Sequence, residues 1–570
     1  MSGVERSDGC GVPWWESAVV YQIYPRSFCD GDGDGVGDLE GIRTHLDHLS
    51  WLGVDALWLS PFFPSPMADF GYDVADYNDV DPLFGDLGGF DRLVAEAHER
   101  DLKVLIDWVP NHSSDHHRWF QASRSSRADP QRDWYWWRDD RPDAEGGHGP
   151  PGSPGRAPNN WLAAFPGVGG TDLPSAWTWD QTTGQWYLHL FLPGQPDLNW
   201  GHPEVRSAME GVLRFWMERG VDGFRVDVAH GMGKDPALPD LAPEVRGSPV
   251  ASVNDDPATH PILAGLRTVV DSWPAPPARM MVGEVYLPTT AQVARYYGTT
   301  AYPELHLSFN FPPLFAPWEA GAWKACIDEV TARLGPAGAW PTWVLSNHDQ
   351  PRHRSRYGPE AVARAAAVLL LTLRGTPFVY AGEELGLEDA VVAPDRRVDP
   401  GGRDGCRAPI PWDSTPGHGW AGGPEAWLPW PPEADGGRTV ADLVAEPASI
   451  LHLYRRLLGA RRASEALKAG DLRWHPQGQG VLCYERTSGD DRRLVAVNFT
   501  ADSRAVIVPE GPWILEVASD GPDPGSPPGL TLRGHQAVLL GRPPPERLRG
   551  EGRPRAGSST DRSDRTGLRR

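Results

Sequence analysis

The sequence predicts an α/β protein: a (β/α)8 barrel with a small subdomain inserted after the third strand and a C-terminal antiparallel β domain. Three observations predict it. Eight short apolar runs without strict alternation recur with helical patterns between them, as expected of parallel strands covered on both faces. A long segment rich in Trp, Gly, Pro and Asp separates the third run from the fourth. Beyond about residue 460 the texture changes to short β-type runs split by turn residues.

In chain order the eight runs are Val19–Ile23, Ala56–Leu59, Val104–Ile106, Phe224–Val226, Met281–Val282, Leu307–Phe309, Trp343–Leu345 and Phe378–Tyr380. Between them, Val205, Ala208, Met209, Val212, Leu213 and Trp216 repeat at helical spacing and form one apolar face, and Phe90, Leu93, Val94 and Ala97 form another. The barrel is assigned to residues 1–112 and 200–460. Residues 113–199 are too long for a structureless loop, so they are assigned to the inserted subdomain. Runs beginning at Val481, Leu494, Trp513 and Gln536 place the β domain at 461–541, and the Arg-rich, apolar-poor remainder, 542–570, reads as a disordered tail.

Composition narrows the function. There are 76 acidic against 54 basic residues, a net charge of −22, which argues against nucleic-acid or anionic-membrane partners. Five scattered cysteines form no CxxC pair, so neither a zinc site nor a disulfide framework is expected. No apolar run is long enough to span a membrane, and Met1–Gly11 lacks the apolar segment of a signal peptide. The reading is a soluble cytoplasmic protein.

In a barrel, functional side chains come from the C-terminal ends of the strands. Those ends read Asp107-Trp-Val-Pro-Asn-His112, Gly223-Phe-Arg-Val-Asp-Val-Ala-His230, Glu284 and Asn347-His-Asp349. Any one acid here has the ordinary reading of a turn or a helix cap. Four of them, with Arg225, His112, His230 and His348 beside them, point to a site, because a buried acid is costly unless paired. Paired carboxylates without metal-ligand spacing or a cofactor loop suit cleavage of an acetal: one attacks the anomeric carbon and another delivers a proton to the leaving oxygen. The 26 tryptophans offer faces on which sugar rings stack.

These segments, with Tyr21-Gln-Ile-Tyr-Pro-Arg-Ser-Phe28, resemble the α-amylase family of glycoside hydrolases, family 13. Ser65-Pro-Met-Ala-Asp-Phe-Gly-Tyr-Asp73, Gln195-Pro-Asp-Leu-Asn199 and Asn347-His-Asp-Gln-Pro-Arg352 are similar to its α-glucosidase and oligo-1,6-glucosidase branch. The resemblance implies Asp227 as nucleophile, oriented by Arg225, Glu284 as general acid/base and Asp349 as the third carboxylate. It implies that His112 and His348 bind the same sugar over a floor supported by Asp107 and Asn111. Asp69 and Tyr72 would close the pocket, with Arg403 favoured over Arg407 as the partner of Asp69. A pocket so closed accepts only a chain end. The expected activity is a retaining, exo-acting α-glucosidase acting on a small oligosaccharide substrate. Val228, following the nucleophile, tilts the linkage toward α-1,6, whereas Gly231-Met-Gly-Lys234 and Phe70 depart from the branch. The rivals are a transglycosidase such as trehalose synthase or sucrose isomerase, a non-catalytic relative such as a transporter-associated subunit or binding module, and a structural barrel with incidental acids. On this reading Arg225 depresses the pKa of Asp227 and burial raises that of Glu284. Retention calls for carboxyls ~5–5.5 Å apart, inversion for ~6.5–9.5 Å.

Asp30-Gly-Asp-Gly-Asp-Gly-Val-Gly-Asp38 spaces carboxylates at alternate residues, which converges oxygens on a hard cation. It is not an EF-hand, since the twelfth position is Gly41. It resembles the calcium loop of the same branch. That implies Asp30, Asp32, Asp34 and Asp38 as side-chain ligands and the Val36 carbonyl as a fifth, for calcium or magnesium in a structural role. No organic cofactor is expected.

Overall fold

The computed structural model describes residues 12–141, 155–166, 172–242, 255–274, 276–423, 425–521 and 530–542. The leader Met1–Gly11 and the tail from residue 543 onward lie outside the described residues.

Eighteen strands are described, β1 (Val20–Ile23), β2 (Ala56–Leu59), β3 (Lys103–Trp108), β4 (Trp137–Arg138), β5 (Trp177–Asp180), β6 (Gln185–Leu188), β7 (Gly223–Val226), β8 (Met280–Gly283), β9 (Leu307–Ser308), β10 (Thr342–Val344), β11 (Thr376–Tyr380), β12 (Asp471–Trp474), β13 (Val481–Ser488), β14 (Asp491–Asn498), β15 (Arg504–Ala505), β16 (Ile514–Ala518), β17 (Thr531–Leu532) and β18 (Ala537–Gly541). The eight predicted barrel runs correspond to β1–β3 and β7–β11. They form one sheet in the order β10-β11-β1-β2-β3-β7-β8-β9, with every pairing parallel. The two ends of that order meet where the Thr342 hydroxyl donates to the Ser308 carbonyl at 2.9 Å.

Most of the barrel strands are buried along their whole length, and for that reason their sequences do not alternate. Helix Pro203–Glu218 starts with proline at its first turn and the His202 side chain accepting from the Glu204 N–H. It buries Val205, Met209, Val212, Leu213 and Trp216, the face its spacing predicts. Helix Leu87–His98 is capped by Asp86, which accepts from the Gly89 N–H at 2.6 Å, and buries Phe90, Leu93, Val94 and Ala97.

Between β3 and β7 the chain builds a three-stranded antiparallel sheet, β4-β6-β5, over its own cluster of Trp136, Trp161, Trp177, Leu188 and Leu190. The C-terminal region forms an antiparallel sheet, β12-β13-β14-β18-β16, and a two-stranded one, β15-β17. It is locked onto the barrel helix Glu360–Thr372, whose Thr372 carbonyl accepts from Arg486 at 2.6 Å while its hydroxyl shares a hydrogen bond with Tyr484. Among the described residues no helix is long and apolar enough to cross a membrane, and Cys29, Cys326, Cys406 and Cys483 are free thiols.

Candidate active site

Side chains two apart on a strand share a face, so β7 aims Arg225 into the barrel and Asp227, just past its end, follows on the same side. Arg225 is buried among three carboxylates. Its Nη1 donates to Asp107 at 2.6 Å and to Asp227 at 2.5 Å, and its Nη2 pairs with Glu284 at 3.1 Å. Asp107 ends β3 and Glu284 follows β8, so three neighbouring strands supply the acids.

The backbone between Asp227 and Glu284 is strained. Val228 has φ +42°, rare for a β-branched residue and costing about 1–3 kcal/mol. It is held there by Glu284, whose Oε2 accepts from the Val228 N–H at 2.9 Å and whose carbonyl accepts from the Ala229 N–H at 3.0 Å. Both side-chain contacts of Glu284 fall on Oε2, and the side-chain contact of Asp227 falls on Oδ1. One oxygen of each carboxyl is left for a ligand.

Tyr72 and His348 stack at 5.3 Å and share a hydrogen bond of 2.6 Å between the phenol and Nε2. Gln22 donates to His348 Nδ1, which fixes the proton on Nε2, and the Tyr72 hydroxyl passes its own proton toward Asp107 at 3.3 Å. His112 contacts the Tyr72 carbonyl and Gln195, and Gln195 also donates to Asp69 at 3.1 Å. Arg403 is the arginine that meets Asp69, at 2.6 Å; it also donates to Asp349 at 2.8 Å and is clamped through Nε and Nη2 by Asp399. Arg407 lies deeper, bonded to the His348 carbonyl, Asp399 and Asp349.

A cavity of about 380 Å³ opens over these groups, lined by Asp69, Tyr72, His112, Asp227, Glu284, Asp349 and Arg403. Phe165 and Phe191 from the inserted segment and Tyr286 from beyond β8 form apolar walls. Sequence reasoning missed Phe165, Phe191, Tyr286, Gln195, Lys234 and Asp399 as site residues. Gln195 and Lys234 stood inside quoted segments, while the others carried no separate signal. Phe70, a departure from the branch, lies against Arg26 and Trp427.

The electrostatics differ from the expectation for Asp227. Its carboxyl is raised well above the usual range, first by burial and then by Glu284, Asp107 and Asp349, against the opposing pull of Arg225. Asp107 is pushed up to about 6 by burial in spite of Arg225. Burial would raise Asp349 too, but His348, Arg403 and Arg407 outweigh it and hold that carboxyl below the usual range. Burial pushes His348 well below its ordinary value, so at neutral pH it is uncharged and the two arginines carry that effect. His112 and His230 are lowered by burial as well.

The acidic loop lies apart from this cavity. Oxygens of Asp30, Asp32 and Asp38 lie within 4.8 Å of one another, the convergence a cation requires. Asp38 is raised by burial, with Asp32 and Asp30 adding to it. Asp34 does not join the three: its Oδ1 accepts from the Val36 N–H at 2.8 Å and closes a turn. Asp30 is engaged by the Gly33, Gly35 and Gly422 N–H groups, which tie the loop to a distant segment.

Known proteins share this architecture. Residues 22–470 match the α-amylase family, described as the α-amylase catalytic domain. The chain is 41% identical over 527 residues to a probable α-glucosidase of Rhizobium meliloti (strain 1021), which covers 87% of this chain and 91% of that protein. It is 35% identical over 552 residues to an oligo-1,6-glucosidase of Heyndrickxia coagulans, covering 88% and 95%. Among solved structures it is similar to the trehalulose synthase MutB of Pseudomonas mesoacidophila MX-45, with TM-score 0.84, 33% identity, and 93% of this chain and 100% of that one covered. A barrel whose strand ends bring these carboxylates around one arginine, matched along most of its length by those proteins, belongs to the α-amylase family of glycoside hydrolases, family 13.

Proposed function

We propose that the protein is a retaining α-glucosidase that releases terminal α-linked glucose from short oligosaccharides. The observation that carries this reading is the pairing of Asp227 and Glu284 with the one Arg225 guanidinium at the base of the cavity. In the first step the free oxygen of Asp227 attacks the anomeric carbon while Glu284 gives its proton to the departing glycosidic oxygen. In the second, Glu284 takes a proton from water, water attacks the same carbon, and the ester to Asp227 breaks. Two inversions restore the α configuration. Asp349, kept ionised by Arg403 and Arg407, accepts hydrogen bonds from sugar hydroxyls. His112 in the cavity wall meets the same sugar, while His348, buried behind the wall, acts through the Tyr72 hydroxyl that it holds.

The Asp69–Arg403 pair, both residues in the cavity lining, supports exo action, because a pocket closed by an ion pair would accept only a chain end. Val228 beside the nucleophile favours α-1,6 linkages as the narrower specificity. A second reading, transfer of the glucosyl group to a sugar instead of water, is favoured by the similarity to a trehalulose synthase; the first half-reaction is common to both. A panel of maltose, isomaltose, sucrose, trehalose and panose, with product anomers read by NMR, decides. Free α-glucose supports the hydrolase, isomerised sucrose the rival, and β-glucose as first product defeats retention.

Asp30, Asp32 and Asp38 fit a hard cation, and calcium or magnesium bound there would hold the loop and the Gly422 segment together. The chemistry at Asp227 does not pass through it. Chelation is expected to lower the Tm by several degrees with little change in kcat at low temperature; an unchanged Tm removes the metal from the account.

A further inference from the structure

Phe315 stands outside the cavity lining, next to Tyr286 of its wall, and the reaction above gives it no task. It is 53% exposed, so its ring face is open to solvent. It sits on the loop that follows β9, at the C-terminal face of the barrel where the cavity opens.

That loop is built to be rigid. Phe315 ends a single helical turn, Pro312–Phe315, stiffened by Pro312 and Pro313. The flanking carbonyls are tied down from the segment after Asp349: Arg356 donates to the Leu314 carbonyl at 2.7 Å and Tyr357 to the Ala316 carbonyl at 3.1 Å. An exposed ring on a fixed backbone loses little freedom when it binds.

Its neighbour is Tyr286, which lines the cavity two residues after Glu284. The Tyr286 ring lies 5.1 Å from Phe311 and 6.2 Å edge-on from Phe315, so an aromatic surface runs from the acid/base out of the cavity to solvent. Glu284 protonates the oxygen that joins the departing sugar, which places Tyr286 beside the first sugar on the leaving side. Phe315 comes one ring further out.

We infer that Phe315 is a stacking platform for the second sugar on the leaving-group side, a subsite that favours trisaccharides and longer chains over disaccharides. The inference rests on the α-glucosidase reading. The apolar face of a pyranose covers the ring in the way aromatic surfaces pack.

Two measurements test it. In the active enzyme, Phe315→Ala is expected to lower kcat/KM for maltotriose and isomaltotriose by about 3- to 10-fold while leaving maltose and isomaltose unchanged, and Phe315→Trp to restore the preference. In Asp227→Asn protein, calorimetric binding of maltotriose is expected to weaken by the same factor with Phe315→Ala, and that of maltose to stay constant. The binding readout needs no turnover, so an enzyme that hydrolyses no glucoside defeats the proposed activity while this comparison still reports on the ring. Equal effects on di- and trisaccharide, or none on either, overturn the platform.

Discussion

Arg225 holds Asp227 through Nη1 at 2.5 Å and Glu284 through Nη2 at 3.1 Å, so one guanidinium fixes the position of both carboxyls and couples their charges. With Asp107 on the same arginine, three acids share one cation, and Asp227 is pushed up by burial and by its anionic neighbours. Asp227→Asn is expected to lower kcat by about three orders of magnitude or more, as loss of a nucleophile does. It is also expected to stabilise the fold. A raised folded-state pKa means that the native protein binds the proton more tightly than the unfolded chain; the cost is absent below the ordinary carboxylate pKa and grows as pH rises toward the folded value. Removing it gains about 1–3 kcal/mol at neutral pH and progressively less toward pH ~4. Thermal unfolding across that range checks the slope, and a gain independent of pH contradicts it.

The same coupling predicts how the nucleophile answers to its partner. After burial, Glu284 is the largest of the anionic influences that raise Asp227. Glu284→Gln removes that charge, so the Asp227 pKa falls and the nucleophile ionises at lower pH. With an aryl glucoside whose leaving group needs no proton, the acid limb of kcat/KM is expected to move down by about one pH unit. A stationary limb means that the two groups titrate independently.

Much of this site was legible because strand order is. Once eight buried runs are recognised, β3, β7, β8 and β10 have to bring Asp107, Asp227, Glu284 and the Asn347–Asp349 segment to one end of the sheet. The charge state of Asp227 was not legible. Arg225 lies two residues away in the sequence, whereas the burial and the three carboxylates that outweigh it arrive from other strands. Alternating acids in the loop suggested four carboxylate ligands; the oxygens of Asp30, Asp32 and Asp38 converge, while Asp34 stands outside that group with its Oδ1 on the Val36 N–H. Phe165, Phe191 and Tyr286 lie beyond strand ends, where no period marks which side chain faces the cavity. The φ of Val228 belongs to the fold around it rather than to valine.

Asp69 and Arg403 are expected to set where the substrate chain must end. Asp69→Asn keeps the volume and weakens the 2.6 Å ion pair, while Asp349 and Asp399 continue to hold the arginine. KM for disaccharides should rise about 10-fold with a smaller change in kcat, because the contact orients the terminal sugar before and during reaction alike. Longer substrates should begin to release maltose as well as glucose. A double-mutant cycle with Arg403→Gln should show about 1–3 kcal/mol of coupling, and additive losses dissolve the pair as a functional unit.

Lys234 has no atom in the cavity lining, yet it holds the floor of the site. Its ammonium pairs with Asp197 at 2.8 Å, both side chains fully buried, and donates to the Asn111 side-chain Oδ1 at 3.0 Å and to the Gly231 backbone carbonyl at 2.8 Å. Asp197 in turn accepts from Asn111, next to His112. Lys234→Met leaves an uncompensated buried carboxylate and is expected to cost about 3–5 kcal/mol in denaturant unfolding. Adding Asp197→Asn should recover most of that stability, because the stranded charge is gone. Activity should recover less, since nothing then draws Asn111 and its neighbour His112 into place. If stability and kcat/KM return together, the lysine serves the fold alone and has no part in positioning His112.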